Sequence, residues 1–461
     1  MIALRNVSFT YADSDYGVKE IDLSIQKGEC VVLTGPSGGG KSTLTRVLNG
    51  LAPHYFYGRL SGTITIGNDD FTQKPIWEIS RQIGSVFQDP KSQFFSSELA
   101  GEIAFATENY GLAHPEVVRL THQAISHFKL NSLINRNLDD LSSGEKQRVA
   151  IASVYTLNPE IYVFDEPTAN LDAEGVVQLK QTVSDLKSSG KTLIIAEHRL
   201  SWLDGIVDRF VYLKDGAITW EKTAKEMGKL TKKQRDDAWL RSSTPIHIPD
   251  LPRPAGQGSP LLSTTALSIK RGRNTILQNQ NFKVWPGQII SVTGRNGAGK
   301  TTLALALAGL DGKTSGKIEI LEKSTRRLKR RSRVWYSSNE TGTQFFTNSV
   351  SSELLLTQNL TESTLEKARE LLKRLGLYQY KDSHPATLSG GQRLRLSIAC
   401  GLMSNREILI FDEPTSGLDG GNMNIVATLF RELAKSGKSI LIITHDGELI
   451  KRCCDFSLPI A

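Results

Sequence analysis

Cys30-Val31-Val32-Leu33-Thr34-Gly35-Pro36-Ser37-Gly38-Gly39-Gly40-Lys41-Ser42-Thr43 reads as a short apolar strand that runs into a glycine loop and then a helix. Glycines let backbone approach a phosphate closely, and loop amides together with the N-terminus of the following helix face the anion. Lys41 would supply a point charge to the β- and γ-phosphates, and Ser42 a hydroxyl for Mg²⁺. One such octapeptide can arise by chance, but here it recurs. Ile289-Ile290-Ser291-Val292-Thr293 enters Gly294-Arg295-Asn296-Gly297-Ala298-Gly299-Lys300-Thr301-Thr302. Each loop stands between an apolar strand and an expected helix (Thr43 to Leu51, Thr302 to Leu310), so the chain is expected to hold two nucleotide-binding loops in an α/β fold.

The repeat continues beyond the loops. Leu141-Ser142-Ser143-Gly144-Glu145 recurs as Leu388-Ser389-Gly390-Gly391-Gln392, Phe164-Asp165-Glu166-Pro167-Thr168 as Phe411-Asp412-Glu413-Pro414-Thr415, and His198 as His445. The loop lysines are 259 residues apart, whereas Ser142/Ser389, Asp165/Asp412 and His198/His445 are each separated by 247. The second copy is thus 12 residues shorter before its serine motif and keeps step afterwards. A long period of this kind is a duplicated domain and not a solenoid unit. Ile161–Phe164, Ile408–Phe411, Leu193–Ala196 and Ile440–Ile443 are almost unbroken apolar runs, as in parallel strands covered on both faces. Ligands of such sheets bind at the carboxyl ends of the strands.

We expect domains at 1–228 and 261–461, joined by a linker over 229–260. Within the linker, Lys229–Arg241 is charged and reads as helical. Pro245, Pro249, Pro252, Pro254 and Pro260, with Gly256 and Gly258, cannot continue a helix and read as an extended connector.

Asp165 and Asp412 close apolar strands, where a carboxylate can hold Mg²⁺ through water. Glu166 and Glu413 follow directly and can polarise an attacking water as general bases. One Asp-Glu after a strand usually marks only a strand end. Two copies, each continuing into Pro-Thr and then Leu-Asp (Leu171-Asp172, Leu418-Asp419), point to chemistry.

The bulk composition excludes some classes. The 461 residues are 39% hydrophobic and 23% charged, ordinary for a globular protein. No run approaches the roughly 20 apolar residues of a membrane-spanning helix, and Met1–Arg5 lacks a signal-peptide layout. Any membrane role is therefore expected to be peripheral. The formal charge of +8 suits nucleic acid, an anionic membrane, phosphate binding or a solvated surface, and the mixed signs along the chain favour the last two. Cys30, Cys400, Cys453 and Cys454 show neither metal-ligand spacing nor a disulfide framework.

Together these motifs resemble the ATP-binding-cassette (ABC) superfamily in its duplicated form, over nearly the whole chain. The signature specific to that superfamily is matched fully by Leu388–Gln392 and closely by Leu141–Glu145. The resemblance implies two P-loop cassette domains, each with a helical signature subdomain, that close head to tail around two ATP molecules with Mg²⁺. Ser142 and Gly144, or Ser389 and Gly391, would cap the γ-phosphate held by the opposite domain. It further implies catalytic glutamates Glu166 and Glu413, switch histidines His198 and His445, interface loops at Leu171-Asp172 and Leu418-Asp419, metal groups Ser42, Gln88, Asp165, Thr301 and Asp412, and an adenine-stacking Tyr11. Each histidine lies 33 residues after its aspartate, which favours a role in both copies.

The second copy departs from the pattern. Asn339 stands opposite Gln88 and is one methylene shorter. No aromatic in Lys270-Arg271-Gly272-Arg273 matches Tyr11, although an arginine can stack on a base. The second copy ends soon after Asp455, where the first continues through Phe210–Gly216, so a final hairpin is expected to be missing, and in the first copy Glu145 replaces the usual glutamine. One shared site would combine Lys41, Ser42, Gln88, Asp165, Glu166 and His198 with Ser389 and Gly391. The other would combine Lys300, Thr301, Asn339, Asp412, Glu413 and His445 with Ser142 and Gly144. Both are expected to bind ATP and to turn over at different rates.

Within the superfamily the chain resembles the fused ATPases of energy-coupling-factor importers. The supporting residues are Gln93-Phe94-Phe95 and Gln344-Phe345-Phe346 with Glu102 and Glu353 at matching positions, Glu197-His198-Arg199-Leu200, and Asn49-Gly50-Leu51-Ala52-Pro53-His54-Tyr55. That resemblance implies a peripheral location on the cytoplasmic face of the cell membrane, an integral-membrane scaffold subunit, a substrate-capturing membrane subunit, and uptake of a small solute such as a vitamin or a cobalt or nickel ion. The apolar segment after Gln88 and Asn339 would receive coupling helices. A soluble ribosome-associated cassette ATPase (ABC-F type) is the alternative, supported by the basic run Lys323–Arg333. The short proline-rich connector is unlike that class, so no nucleic acid is expected. A fused sugar-importer ATPase is a third reading.

Overall fold

A computed structural model describes residues 1–169, 171–246, 258–272, 274–311, 314–339 and 344–460. The expected connector residues Pro249, Pro252, Pro254 and Gly256, and also Arg273 and Ala461, lie outside the described residues. By contacts the chain forms two compact units, Met1–Pro245 with Asp419–Gly421, and Ile246–Leu418 with Asn422–Ala461.

The first unit carries a six-stranded sheet in the order Ala217–Thr223, Arg209–Lys214, Cys30–Thr34, Thr192–Ala196, Ile161–Asp165, Ile83–Val86. All neighbours are parallel except the hairpin of Arg209–Lys214 with Ala217–Thr223. The strands read as unbroken apolar runs because both faces are covered. On Cys30–Thr34, Cys30 and Val32 join one core with the helices, while Val31 and Leu33 join another beneath an antiparallel sheet. That sheet runs Gly17–Ile25, Ile2–Tyr11, Gly58–Ile66, Asp69–Asp70. Each fully buried Val or Leu of these cores contributes roughly 1.5–3 kcal/mol. The helical layer is built from Leu99–Asn109, His114–His127 and Ser143–Tyr155.

The second unit repeats the plan. Its main sheet runs Val334–Ser337, Ile408–Asp412, Ser439–Ile443, Ile289–Thr293, Phe456–Pro459, all parallel. Phe456–Pro459 takes the place of Arg209–Lys214, and among the described residues no strand matches Ala217–Thr223. The antiparallel sheet runs Asn274–Val284, Leu262–Arg271, Thr314–Ile320, Lys323–Ser324. Val350–Leu355, Glu362–Arg374 and Gly390–Met403 form the helical layer.

Several boundaries differ from the sequence reading. The segment after residue 228 stays with the first unit, because Leu240 is buried in its core and Leu230 and Ala238 pack against it. A short helix there covers only Lys232–Asp237. The helices after the phosphate loops end at Leu48 and Leu307, earlier than expected. In the first, Gly50 follows at φ 75°, a conformation that stops a helix.

Part of the basic run is tied down within its own domain. It supplies a short helix, Arg327–Arg331, that docks on the C-terminus of the phosphate-loop helix Lys300–Leu307. Arg330 donates to Ala306 O and Thr325 O, Arg327 to Gly309 O and Leu310 O, and Arg331 to Gly309 O. Arg333 pairs with Glu407. Carbonyls at a helix C-terminus lack intrahelical donors and carry partial negative charge, so the guanidinium groups satisfy and neutralise them.

Candidate nucleotide sites

In both units the strand into the phosphate loop, the strand ending in aspartate and the strand preceding the histidine are adjacent and parallel, so their carboxyl ends form one edge. The loops Gly35–Gly40 and Gly294–Gly299 turn back across that edge. Gly35 (φ 138°) and Gly294 (φ 145°) must be glycine. A Cβ would lie 2.0 Å from Leu213 O in one case and 2.2 Å from Ile460 O in the other. Lys41 and Lys300 open their helices and fold back over the loops. Lys41 Nζ donates to Gly35 O (3.1 Å) and Pro36 O (2.9 Å), and Lys300 Nζ to Gly294 O (2.7 Å) and Arg295 O (2.9 Å). Ser37, Gly38, Asn296 and Gly297 form the exposed turns of the loops, with Gly39 and Ala298 beneath them.

Ser42 Oγ donates to Asp165 Oδ1 at 3.1 Å, and Thr301 Oγ1 to Asp412 Oδ2 at 2.7 Å. A hydroxyl and a carboxylate are hard oxygen donors of the kind Mg²⁺ takes, alongside substrate phosphates and waters. Among the described residues no cluster of three or more His, Cys, Asp or Glu could hold a metal by itself.

Glu166 and Glu413 leave their strands in the left-handed region, at φ 44° and 49°. Non-glycine residues held there cost of order 1–3 kcal/mol and cluster at functional sites. Their amides continue the ladder to Ala196 O and Ile443 O, both at 2.8 Å. Gln88 Nε2 donates to Glu166 Oε2 at 3.0 Å, and His198 Nε2 lies 3.5 Å from Glu166 Oε1. Burial, and then the charge of Asp165, pushes Glu166 up to about 8, while burial holds His198 well below the usual imidazole value. His445 Nε2 is 3.9 Å from Glu413 Oε1, and its amide donates to the same oxygen at 3.2 Å. Asn339 is exposed, at the bend after Val334–Ser337.

Tyr11 ends its strand edge-on to Phe9 and Phe56, with its hydroxyl 3.2 Å from Thr43 Oγ1 and accepting from Arg46 at 3.0 Å. The repeat's register identifies its counterpart. Asn6 and Ala266 share the same positive-φ bulge, and Ser8–Ser61 pairing matches Ser268–Ser315, so Arg271 holds the place of Tyr11. Thr302 is half-buried on the helix that Lys300 opens. Ser142 and Ser389 cap the helices that Ser143-Gly144 and Gly390-Gly391 begin, each in a capping box. The boxes differ in charge. Ser142 Oγ donates to Glu145 Oε2 at 2.8 Å, whereas neutral Gln392 accepts from Ser389 N at 2.8 Å.

Three features escaped the sequence reading. Glu197, quoted there only as part of a motif, is 2% exposed and accepts from His198 N, Arg199 N and Thr168 Oγ1. In the second unit Asp446, on the other side of the histidine, accepts from Thr415 Oγ1 at 2.6 Å. Tyr336 OH reaches Asp412. The recurring Pro-Thr after each Asp-Glu was the available signal for the first two.

The family described as ABC transporter matches residues 18–169 and 277–416. A Treponema denticola protein named as an ABC transporter ATP-binding protein is 38% identical, covering 98% of this chain and 94% of that protein. A Bacillus subtilis protein named for HMP/thiamine import ATP binding, YkoD, is 32% identical, covering 99% of this chain and 89% of its own. The archaeal ribosome recycling factor aABCE1, solved with stalk protein aP1, superposes with a TM-score of 0.67 at 24% identity, covering 98% of this chain and 87% of that one; the likeness is one of fold.

Proposed function

The chain belongs to the ABC transporter family as a tandem pair of ATP-binding, ATP-hydrolysing domains, and from that premise we propose that it powers an importer of the energy-coupling-factor type. It would sit at the cytoplasmic face of the membrane, bound to a scaffold subunit and a substrate-capturing subunit that select a vitamin, a cobalt or nickel ion or a similar small solute. No described helix is long and apolar enough to cross a membrane, so the reading needs separate membrane subunits. In each cycle the domains would close head to tail. Lys41 and Lys300 would hold phosphates, Ser42, Asp165 and Gln88 in one site and Thr301 and Asp412 in the other would hold Mg²⁺, and Glu166 and Glu413 would act as bases on water beside His198 and His445.

One observation carries the importer reading: a carboxylate-clamped aromatic loop recurs in both domains. Glu102 accepts from Phe95 N and Ser96 N (2.8 and 2.9 Å), and Glu353 from Phe346 N and Thr347 N (both 2.9 Å). Both carboxylates are buried, yet Phe95 and Phe346 are 75% and 82% exposed. An exposed large apolar group on a rigid support suits docking to a partner helix. The likeness to a protein named for thiamine import favours the same reading. The ribosomal alternative leaned on the basic run, whose arginines Arg327, Arg330, Arg331 and Arg333 are engaged within their own domain. Purification of tagged protein from solubilised membranes is expected to bring integral subunits with it, and to lose them when Phe95 and Phe346 are both replaced by aspartate. Co-sedimentation with ribosomes, and no integral partner, would sink the reading.

A further inference from the structure

The two candidate metal carboxylates are not held alike. Among the described residues, Ser42 is the one side chain that donates to Asp165 at hydrogen-bond distance. Asp412 meets two donors that converge on one oxygen: Thr301 Oγ1 at 2.7 Å and Tyr336 OH at 3.3 Å, both to Oδ2. Tyr336 comes from the neighbouring parallel strand, where it sits opposite Ile410; the equivalent place in the first domain, opposite Val163, is held by Ser85. A serine there is too short to cross to the aspartate. Ser85 instead receives Gln93 Nε2 on its backbone carbonyl at 3.2 Å.

We propose that Tyr336 is a positioning residue for the metal-binding carboxylate of the second domain, fixing the orientation of Asp412 through Oδ2. The proposal rests on reading Asp412 as the Mg²⁺ carboxylate. A single hydroxyl sets a carboxylate's distance but leaves its plane free to turn. A second donor, on a rigid ring anchored in the adjacent strand, removes that freedom. The device stands in the domain whose Gln88 counterpart is the exposed Asn339, where one metal-side group is shortened. An ordinary phenol is a neutral donor at physiological pH. With Thr301 engaged by a metal ion, Tyr336 would keep the aspartate in place.

The test uses the full chain carrying Lys41→Ala, so that nucleotide binding reports the second domain, and Mn²⁺ as a paramagnetic stand-in for Mg²⁺. Tyr336→Phe keeps the ring and removes the hydroxyl, with its bonds to Asp412 and Ser338. Mn²⁺ affinity in the presence of ATP, read by electron paramagnetic resonance, is expected to weaken about fivefold, the loss of one long bond to a charged group. ATP affinity in EDTA and the thermal midpoint should not change. Unchanged Mn²⁺ affinity overturns the proposal, as does a parallel loss of midpoint and metal-free ATP affinity, which would make Tyr336 a packing residue only. Asp412→Asn in the same background separates the two claims. If it leaves Mn²⁺ binding intact, the metal reading of Asp412 fails and the positioning role falls with it.

Discussion

Glu197 and Asp446 do one task from opposite sides of a histidine. Each is buried, 2% and 4% exposed, and each accepts from the threonine of its Asp-Glu-Pro-Thr motif at 2.6 Å. The bond ties the turn after Glu166 or Glu413 to the loop that carries the histidine. Glu197 also takes the amides of His198 and Arg199 and, at 3.4 Å, the indole of Trp202. Glu197→Ala therefore strands several donors, and we expect it to lower stability by about 3 kcal/mol, against about 1 kcal/mol for Thr168→Val. Denaturant titration of the nucleotide-free protein reads both, and a wild-type midpoint in Glu197→Ala would refute the anchoring role. The phosphate-loop lysines, the Asp-Glu pairs and the histidines were legible in the sequence because their chemistry admits few substitutes and their spacing repeats. Glu197 and Asp446 were not, because a buried anchor needs only a carboxylate within reach, and the fold lets it precede or follow the histidine. Arg271 was hidden for a related reason: its equivalence to Tyr11 depends on a bulge register, and spacing from the loop lysine points one residue earlier.

Among the elements, parallel strands were the easiest to anticipate, since coverage on both faces forces a continuous apolar run. Short basic helices are harder, because composition alone cannot tell a solvated charge from one spent on a helix end. Arg327–Arg331 belongs to the second kind. Arg330 is 6% exposed and bridges Ala306 O and Thr325 O, fastening the end of the helix that Lys300 begins. Arg330→Met keeps the aliphatic stem but leaves Thr325 O without its side-chain donor and Ala306 O with only the amide of Gly309, and should cost about 2 kcal/mol. Lys329→Met on the exposed face of the same helix should cost under about 0.5 kcal/mol. Thermal unfolding checks both. The reverse ranking, or loss of binding to anionic vesicles or RNA with stability intact in Arg330→Met, would return the run to a surface role.

At the scale of the whole chain, duplication has produced two domains with the same plan and unequal parts. The first has Gln88 bonded to its glutamate and an aromatic beside its loop helix. The second has an exposed Asn339, Arg271 in the aromatic's place, and a signature whose serine faces the neutral Gln392. The first domain's signature serine instead gives its hydroxyl to the carboxylate of Glu145. An incoming γ-phosphate at that serine would have to displace the bond and sit beside a negative charge, which costs binding energy in a partly desolvated site. If the domains share their sites head to tail, the fuller nucleotide groups of the first domain meet the uncharged signature of the second, and the weaker features fall together in the other site. Glu166→Gln should then remove most steady-state phosphate release, roughly tenfold or more, and Glu413→Gln should remove only a minor share, within the range that a lost general base produces. Glu145→Gln should narrow the gap by raising turnover at the weaker site. Phosphate release by the full chain at saturating Mg²⁺ and ATP measures all three. Equal losses in the two glutamate variants would mean that the sites are equivalent despite their different side chains. A larger loss in Glu413→Gln would mean that the strengths of the two domains do not combine as head-to-tail sharing requires.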